Sequence, residues 1–385
     1  MVGGPTESIY LDHNATSVVA PECLEAMLAC LRPGIGNPSS RHRAGVRAKQ
    51  FIHEARAEVA HLIGALVREI VFTSSGTEAN HMAILGALAQ RPGRPHVVTS
   101  VVEHPSTLMM LRHLEGRGVR VTYLPVDGAG RLTEEAVISA MTSDTALVTL
   151  MWANNETGVL FPIPAIAEAV RERGVLMHVD AVQAVGKIAM DLKQVPVDLV
   201  SLSSHKLHAL AGAGALFVRK GTTITPLMFG HQERGRRGGT EGLPAIAAFG
   251  RACALAQEDI EGESRRVGRL RNRLEEGVVA LCPRARINGS AAARLSNTSN
   301  ICFGSHDGER LMEALDQSGV AVSMGAACAV GGMEPSHVLM AMGLDRRAAL
   351  ASIRFSLGRY NTPAEIDNVL ALLPRILREV AASAA

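Results

Sequence analysis

Aromatic side chains are scarce: they make up 3% of the 385 residues, with a single tryptophan, Trp152. The core must therefore be built from Ala, Val, Leu, Ile and Met. Stacking platforms for single-stranded nucleic acid are hard to supply from so few rings. Excess charge of one sign is also lacking. Lys plus Arg number 39 and Asp plus Glu 37, a formal net charge of +2. That balance argues against a nucleic-acid backbone or an anionic membrane as the main partner. No apolar run approaches a bilayer span, the longest, 209–218, being cut by Gly212 and Gly214. Met1 to Glu7 offer neither a basic n-region nor an apolar h-region, so no secretory signal is visible and the cytoplasm is the expected compartment. Cys23, Cys30, Cys253, Cys282, Cys302 and Cys328 form no C-x-x-C and no His/Cys spacing that suits a structural zinc, which excludes a disulfide scaffold. What is present, 47% hydrophobic and 20% charged residues, is ordinary for a globular chain. The length fits a two-domain enzyme subunit better than one small core.

Short β-rich runs alternate with helical patterns through the first two-thirds of the chain. Candidate strands are Glu69–Thr73, His96–Ser100, Arg120–Leu124, Ala146–Met151, Leu176–Asp180, Asp198–Ser203 and Ala215–Arg219, with helical spacing over Thr77–Gln90, Thr133–Met141 and Pro164–Arg173. This alternation predicts an α/β fold, an open and mainly parallel sheet covered by helices. The near-continuous apolar strand 146–150 fits burial on both faces. After about residue 258 the character changes. Val267, Leu270, Leu274, Val278 and Leu281 form the apolar stripe of a helix. A shorter α+β pattern follows and closes with a helix around Pro363–Val380, in which Pro374 predicts a kink. The expected division is a large domain over 17–258 and a smaller α+β domain over 1–16 plus 259–385.

Several motifs fail. Gly186-Lys187 is followed by Ile188, so it is no P-loop, and His53-Glu54 meets Ala57 where a zincin needs its second His. No G-x-G-x-x-G follows an early strand. The S-x-x-K of Ser203 and Lys206 has no K-T-G partner. What survives are polar clusters at strand ends, where ligands sit in open α/β sheets. In 73–80, a strand enters a small-residue turn and then a helix, an anion cradle suited to a phosphate; the competing reading is an ordinary N-cap on Ser75 or Thr77. Asp180 ends a strand and needs a cationic partner to stay ionised. Lys206 follows the end of another, and burial there would lower its pKa and make its amine a nucleophile. Each feature alone has a bland reading as a cap or a surface lysine. Together they supply what pyridoxal phosphate demands: a lysine to condense with its aldehyde, an acid on its ring nitrogen and an anion site. Cys328 sits among small residues and glycines with no periodic apolar pattern, which points to a thiol on a mobile loop, whereas Cys302 fits a packed core.

The chain also resembles a known family. Residues 10–16, 36–40, 102–105, 152–158, 180–183, 203–206, 232–241 and 353–356 look like the motifs of the cysteine desulfurases of the NifS type, fold-type I (class V) pyridoxal-phosphate enzymes, and they occur in the right order from about residue 8 to 380. The resemblance implies a fold-type I transferase with a seven-stranded, mainly parallel sheet. It implies pyridoxal 5'-phosphate held by Lys206, with Asp180 on the pyridinium nitrogen, His104 stacked on the ring and Gln183 at the ring hydroxyl. Phosphate ligands would be Gly76, Thr77, Ser203 and His205, with Thr240 reaching across from the other subunit of a homodimer. Asn155 and Arg354 would bind the carboxylate of L-cysteine, and Cys328 would take its sulfur as a persulfide, leaving alanine. No resident metal is implied, Cys328 touching an iron–sulfur cluster only transiently. The long loop with residues 334–337 resembles the group that delivers sulfur to iron–sulfur scaffold proteins. No direct nucleic acid and no membrane partner are expected, the arginines at 234, 236 and 237 reading as an internal loop. Leu210, Ala211, Phe229, Gly242 and Met324 depart from the family pattern without removing a catalytic group. The competing readings are a selenocysteine lyase or another class V enzyme, and an inactive cofactor-bound binding subunit.

Overall fold

The structure, a computed structural model, describes residues 8–32, 35–325, 327–329 and 332–382; the side chains of 327–329, 332, 333 and 382 lie outside that description. After a two-residue strand β1 (Ile9–Tyr10), seven strands build the central sheet: β2 (Ile70–Thr73), β3 (His96–Ser100), β4 (Arg120–Leu124), β5 (Thr145–Met151), β6 (Leu176–Asp180), β7 (Leu199–Ser203) and β8 (Gly214–Val218). Their spatial order is β2-β8-β7-β6-β5-β3-β4, with only β8 antiparallel to its neighbours. The expected α/β class and mainly parallel seven-stranded sheet are what the structure holds. Each strand lies within one residue of its expected span.

Alternation along apolar strands sends successive side chains to opposite faces. Phe72, Val148, Val200 and Phe217 enter one apolar cluster, which helices Arg43–Leu62, Ile163–Glu172 and Leu243–Glu258 complete. Val71, Leu147, Leu199 and Leu216 enter the opposite one, under helix Gly76–Ala89. Both faces are covered, so the strands read as unbroken apolar runs.

The last third contributes β9 (Arg286–Asn288), β10 (Thr298–Cys302), β11 (Val320–Ala321), β12 (Ala327–Ala329), β13 (Gly332–Glu334) and β14 (Ser352–Ser356). Strands β14-β10-β9 form a small antiparallel sheet, and β1 pairs in parallel with β11. A third apolar cluster joins Ile9 and Leu11 to Val267, Leu274, Phe303, Phe355 and Leu373. The helical stripe is buried at Val267, Leu270, Leu274 and Val278, but Leu281 is 42% exposed. Leu281 is the last residue of that helix, Ile260–Leu281. The final helix runs Pro363–Ala382 with Pro374 inside it. Among the described residues no helix is long and apolar enough to cross a membrane.

Candidate active site

Parallel strands end on one side of the sheet, and there a cavity of about 500 Å³ opens. Met151, Asp180 and Ser203 are the last residues of β5, β6 and β7, and all three line it. So do Gly76, Thr77, His104, Asn155, Gln183, His205, Lys206 and Arg354. Ten of the eleven framework residues named from the sequence therefore converge, the exception being Thr240, which is exposed and outside this cavity.

One end is an anion cradle. Ser75 is the N-cap of helix Gly76–Ala89 and accepts from the Glu78 amide at 3.1 Å. The cap and ligand readings of this turn are thus compatible, because Ser75 serves the helix while the Gly76 and Thr77 amides have no i−4 carbonyl to bond. Gly76 permits the close approach: a Cβ there would lie 2.9 Å from Val182 Cγ2 and 3.2 Å from Ser203 Cβ. Arg237 donates to Glu78 at 2.8 Å, so one arginine of the basic loop neutralises the carboxylate nearest the cradle. That loop is anchored by a buried fork in which Arg56 grips both Glu233 oxygens at 2.5 and 2.6 Å, while the Phe72 amide donates to Glu233 at 2.8 Å.

Asp180 is buried, and its hydrogen bonds come from neutral donors rather than a cation. Asn80 Nδ2 donates to Oδ2 at 2.8 Å and the Val182 amide to Oδ1 at 3.0 Å. Asn80 Nδ2 also reaches Ser106 Oγ at 3.1 Å, and Ser106 Oγ bonds His104 Nδ1 at 2.8 Å. Asp180, Asn80, Ser106 and His104 are thus one chain of contacts, and the His104 ring stays exposed toward the cavity. Burial lowers the His104 pKa, with Asp180 opposing and Lys206 reinforcing the effect.

Lys206 follows Ser203 through a single helical turn, and its Nζ donates to the Asn14 and Ala15 carbonyls at 2.6 and 2.5 Å. Burial, helped by the Arg354 cation, lowers its pKa to about 8 against the pull of Asp12 and Asp180. A substantial share of neutral amine is therefore available near neutrality, which a nucleophile or general base requires. His205 is pushed down to about 4, chiefly by burial and then by Lys206.

At the other end lies Arg354, on β14 and 5% exposed. It donates to Asp12 at 2.7 Å and to the Asn155 carbonyl at 3.1 Å, while its buried Nε has no partner among the described residues. Backbone bonds pair Arg354 with Ser323, tying the start of the Cys328 segment to the strand that bears the guanidinium. Cys328 itself belongs to β12, opposite Met333 of β13, and its side chain lies outside the described residues. Cys23, Cys30, Cys253, Cys282 and Cys302 are buried and free, and burial raises Cys23 and Cys30 to about 11, far from thiolate character.

Residues the sequence reading passed over complete the site. Asp12 holds Arg354 and Asn80 holds Asp180. Glu156 accepts from Ser336 Oγ, and a Cβ on Gly325 would lie 2.5 Å from its Oε2, so this buried carboxylate touches both ends of the segment 325–336. Burial raises Glu156 to about 7 and Glu103, a second buried carboxyl, to about 8. Asp12 and Glu156 lay inside the recognised motifs and Asn80 inside the polar cluster 73–80, but only tertiary contacts assign them partners.

A lysine of lowered pKa beside a carboxylate, an anion cradle and a guanidinium is the constellation of a pyridoxal-phosphate site. The chain belongs to the aminotransferase class-V family, whose model matches residues 9–369. It is 48% identical over 375 residues to cysteine desulfurase 2 of Trichormus variabilis, with 97% of this chain and 94% of the relative covered. It is 46% identical over 374 residues to the cysteine desulfurase NifS of Azotobacter vinelandii, covering 97% and 93% of the two chains. A solved NIFS-like protein superposes with a TM-score of 0.90 at 36% identity, over 96% of this chain and 99% of that one.

The residues present fit pyridoxal phosphate, the cofactor of this family. The cavity is large enough, its cradle offers free amides at a helix start, the His104 ring faces it, and Lys206 supplies an amine of lowered pKa.

Proposed function

We propose that this protein is a pyridoxal-phosphate-dependent cysteine desulfurase that converts L-cysteine to L-alanine and carries the sulfur away as a persulfide on Cys328. The observation that carries the reading is the convergence of Lys206, Asp180, His104 and Arg354 on one cavity, with the Lys206 pKa lowered to about 8. Gly76, Thr77, Ser203 and His205 would hold the phosphate, His104 would cover the ring, Asp180 would keep the ring nitrogen protonated and Gln183 would contact the ring oxygen. When bound, the cofactor supplies an aldehyde that condenses with amines and a ring that draws electrons from the substrate's α-carbon.

The chain's own groups do the rest. Arg354 and Asn155 orient the substrate carboxylate, a task suited to a planar guanidinium that Asp12 already holds in place. Lys206 moves the α-proton, which its lowered pKa allows near pH 8. The Cys328 thiolate attacks the substrate sulfur, forming the S–S bond as the C–S bond breaks, and the released fragment takes up protons to leave alanine. Kinship with NifS supports an iron–sulfur scaffold as the acceptor of that sulfur, and the reading places the reaction in the cytoplasm.

The working unit in this reading is a homodimer in which Thr240 reaches the other subunit's phosphate site. Support comes from the exposure of Thr240 outside its own cavity and from exposed apolar side chains at Leu24, Leu28 and Phe229, the last 81% exposed. The division into 17–258 and 1–16 plus 259–385 is part of the same reading, supported by the separate third apolar cluster.

The test is turnover. Purified protein incubated with L-cysteine should release alanine, and Lys206→Ala should lose both this activity and the visible cofactor absorbance while remaining folded. Alanine release by Lys206→Ala at the wild-type rate would refute the assignment.

A further inference from the structure

Lys187 has no part in the chemistry described above, yet it is joined to it. It lies four residues after Gln183, in the turns that follow β6, and its Nζ donates to Gln183 Oε1 at 2.9 Å. The other edge of the same amide points the opposite way, Gln183 Nε2 donating to the Asn14 carbonyl at 3.0 Å. That carbonyl is the one that also accepts from Lys206 Nζ at 2.6 Å. A continuous path therefore runs from Lys187 through the Gln183 amide and Asn14 to Lys206.

The chemistry of the three groups gives the path a direction. A carboxamide has a donor edge and an acceptor edge of nearly the same shape, and it settles only when its neighbours differ in kind. The Asn14 carbonyl can only accept. The Lys187 amine carries N–H donors in either protonation state and donates to Oε1, so the two neighbours together select one orientation of Gln183. With Oε1 committed to Lys187, Nε2 keeps a second N–H beyond the one given to Asn14, on the edge of a residue that lines the cofactor cavity.

Packing alone is a poor reason for a lysine at this position. No carboxylate forms an ion pair with Lys187 among the described residues. Lys187 is half-buried, and withdrawing a cation from water without a counter-charge costs stability that a methionine of the same length would not. Burial, reinforced by the Lys206 and Arg354 cations, lowers its pKa to about 7, as expected where no counter-ion was provided. Lys187 also lines a second cavity, of about 190 Å³, shared with Lys206, His13 and His208.

We infer that Lys187 is a positioning residue: by donating to Gln183 Oε1 it fixes the amide so that the edge offered to the cofactor is a donor. The inference rests on the reading that Gln183 contacts the ring oxygen of pyridoxal phosphate. It places Lys187 behind the cofactor, acting through Gln183 and touching neither substrate nor ring.

A double-mutant cycle on the holoenzyme tests it, with two readouts besides turnover: the position of the visible absorption band and the dissociation constant of pyridoxal phosphate. The set is Lys187→Met, Lys187→Arg, Gln183→Met and the double variant Lys187→Met with Gln183→Met. Lys187→Met should move the band in the same direction as Gln183→Met and weaken cofactor binding about fivefold, the scale of one lost hydrogen bond. Lys187→Arg, which keeps donors, should restore both. The double variant should be no worse than Gln183→Met alone. If Lys187→Met leaves band and affinity unchanged while Gln183→Met alters them, or if the two losses add, the inference is overturned and the cofactor reading stands. If Gln183→Met itself changes nothing, the role of Gln183 falls and the inference falls with it. Should Lys187→Met not fold, Lys187→Leu, which also lacks a donor, takes its place in the cycle.

Discussion

The Lys206 amine should be far more reactive than any exposed lysine of the chain. Burial strips water from its ammonium and Arg354 repels it, while Asp12 and Asp180 pull the other way. The net result is a fall from 10.5 to about 8. At pH 7 the neutral fraction then rises about 300-fold, from about one amine in three thousand to about one in ten. Competitive labelling of cofactor-stripped protein with acetic anhydride across a pH series, read by mass spectrometry, measures this directly. The Lys206 peptide should show a midpoint near 8, with exposed Lys49 as the internal standard. Signs follow from the neighbours. Arg354→Gln removes a repelling cation and should raise the midpoint, whereas Asp180→Asn removes an attracting carboxylate and should lower it. A Lys206 midpoint at about 10 or above, in the ordinary lysine range, would refute the claim that burial prepares this amine for chemistry.

Other outcomes follow from the same geometry. Gly76→Ala adds a Cβ 2.9 Å from Val182 Cγ2 in the anion cradle, so affinity for pyridoxal phosphate, followed by absorbance titration, should fall about tenfold or more. Glu233→Ala strands the buried Arg56 guanidinium and should cost about 3–5 kcal/mol in urea unfolding. Glu103, whose pKa is raised to about 8, keeps a proton in the folded state that the unfolded chain loses near 4.5. Its contribution to stability is thus complete below about 4.5 and is lost as pH rises through 8. Glu103→Gln should flatten that part of the stability–pH curve.

The strands could be read because burial on both faces leaves uninterrupted apolar runs, and β3, β4 and β6 coincide with the spans expected for them. Site residues at strand ends were readable for the same reason: the sheet's edge delivers Asp180 and Ser203 to one cavity. Contacts that depend on the tertiary fold were not. Arg354 and its partner Asp12 are 342 positions apart, and nothing local in either segment specifies the pair. Asn80 looks like an ordinary residue of a helix's second turn, yet it joins Asp180 to Ser106. Glu233 sits among arginines that read as an internal loop, but nothing local specifies its left-handed backbone, with φ 48°, or the burial of its side chain against Arg56. Lys187 entered the sequence reading only as part of a failed phosphate-loop motif, because its partner Gln183 gives it meaning only once the turn is folded.

The central claim is that Cys328 is the sulfur carrier. Its most direct test is a single turnover with L-cysteine, followed by alkylation and peptide mass spectrometry. One additional sulfur atom should map to the peptide containing Cys328, and Cys328→Ala should retain the visible cofactor absorbance while forming no persulfide. Wild-type levels of protein-bound persulfide in Cys328→Ala, or an added sulfur on one of the five buried cysteines, would contradict the account.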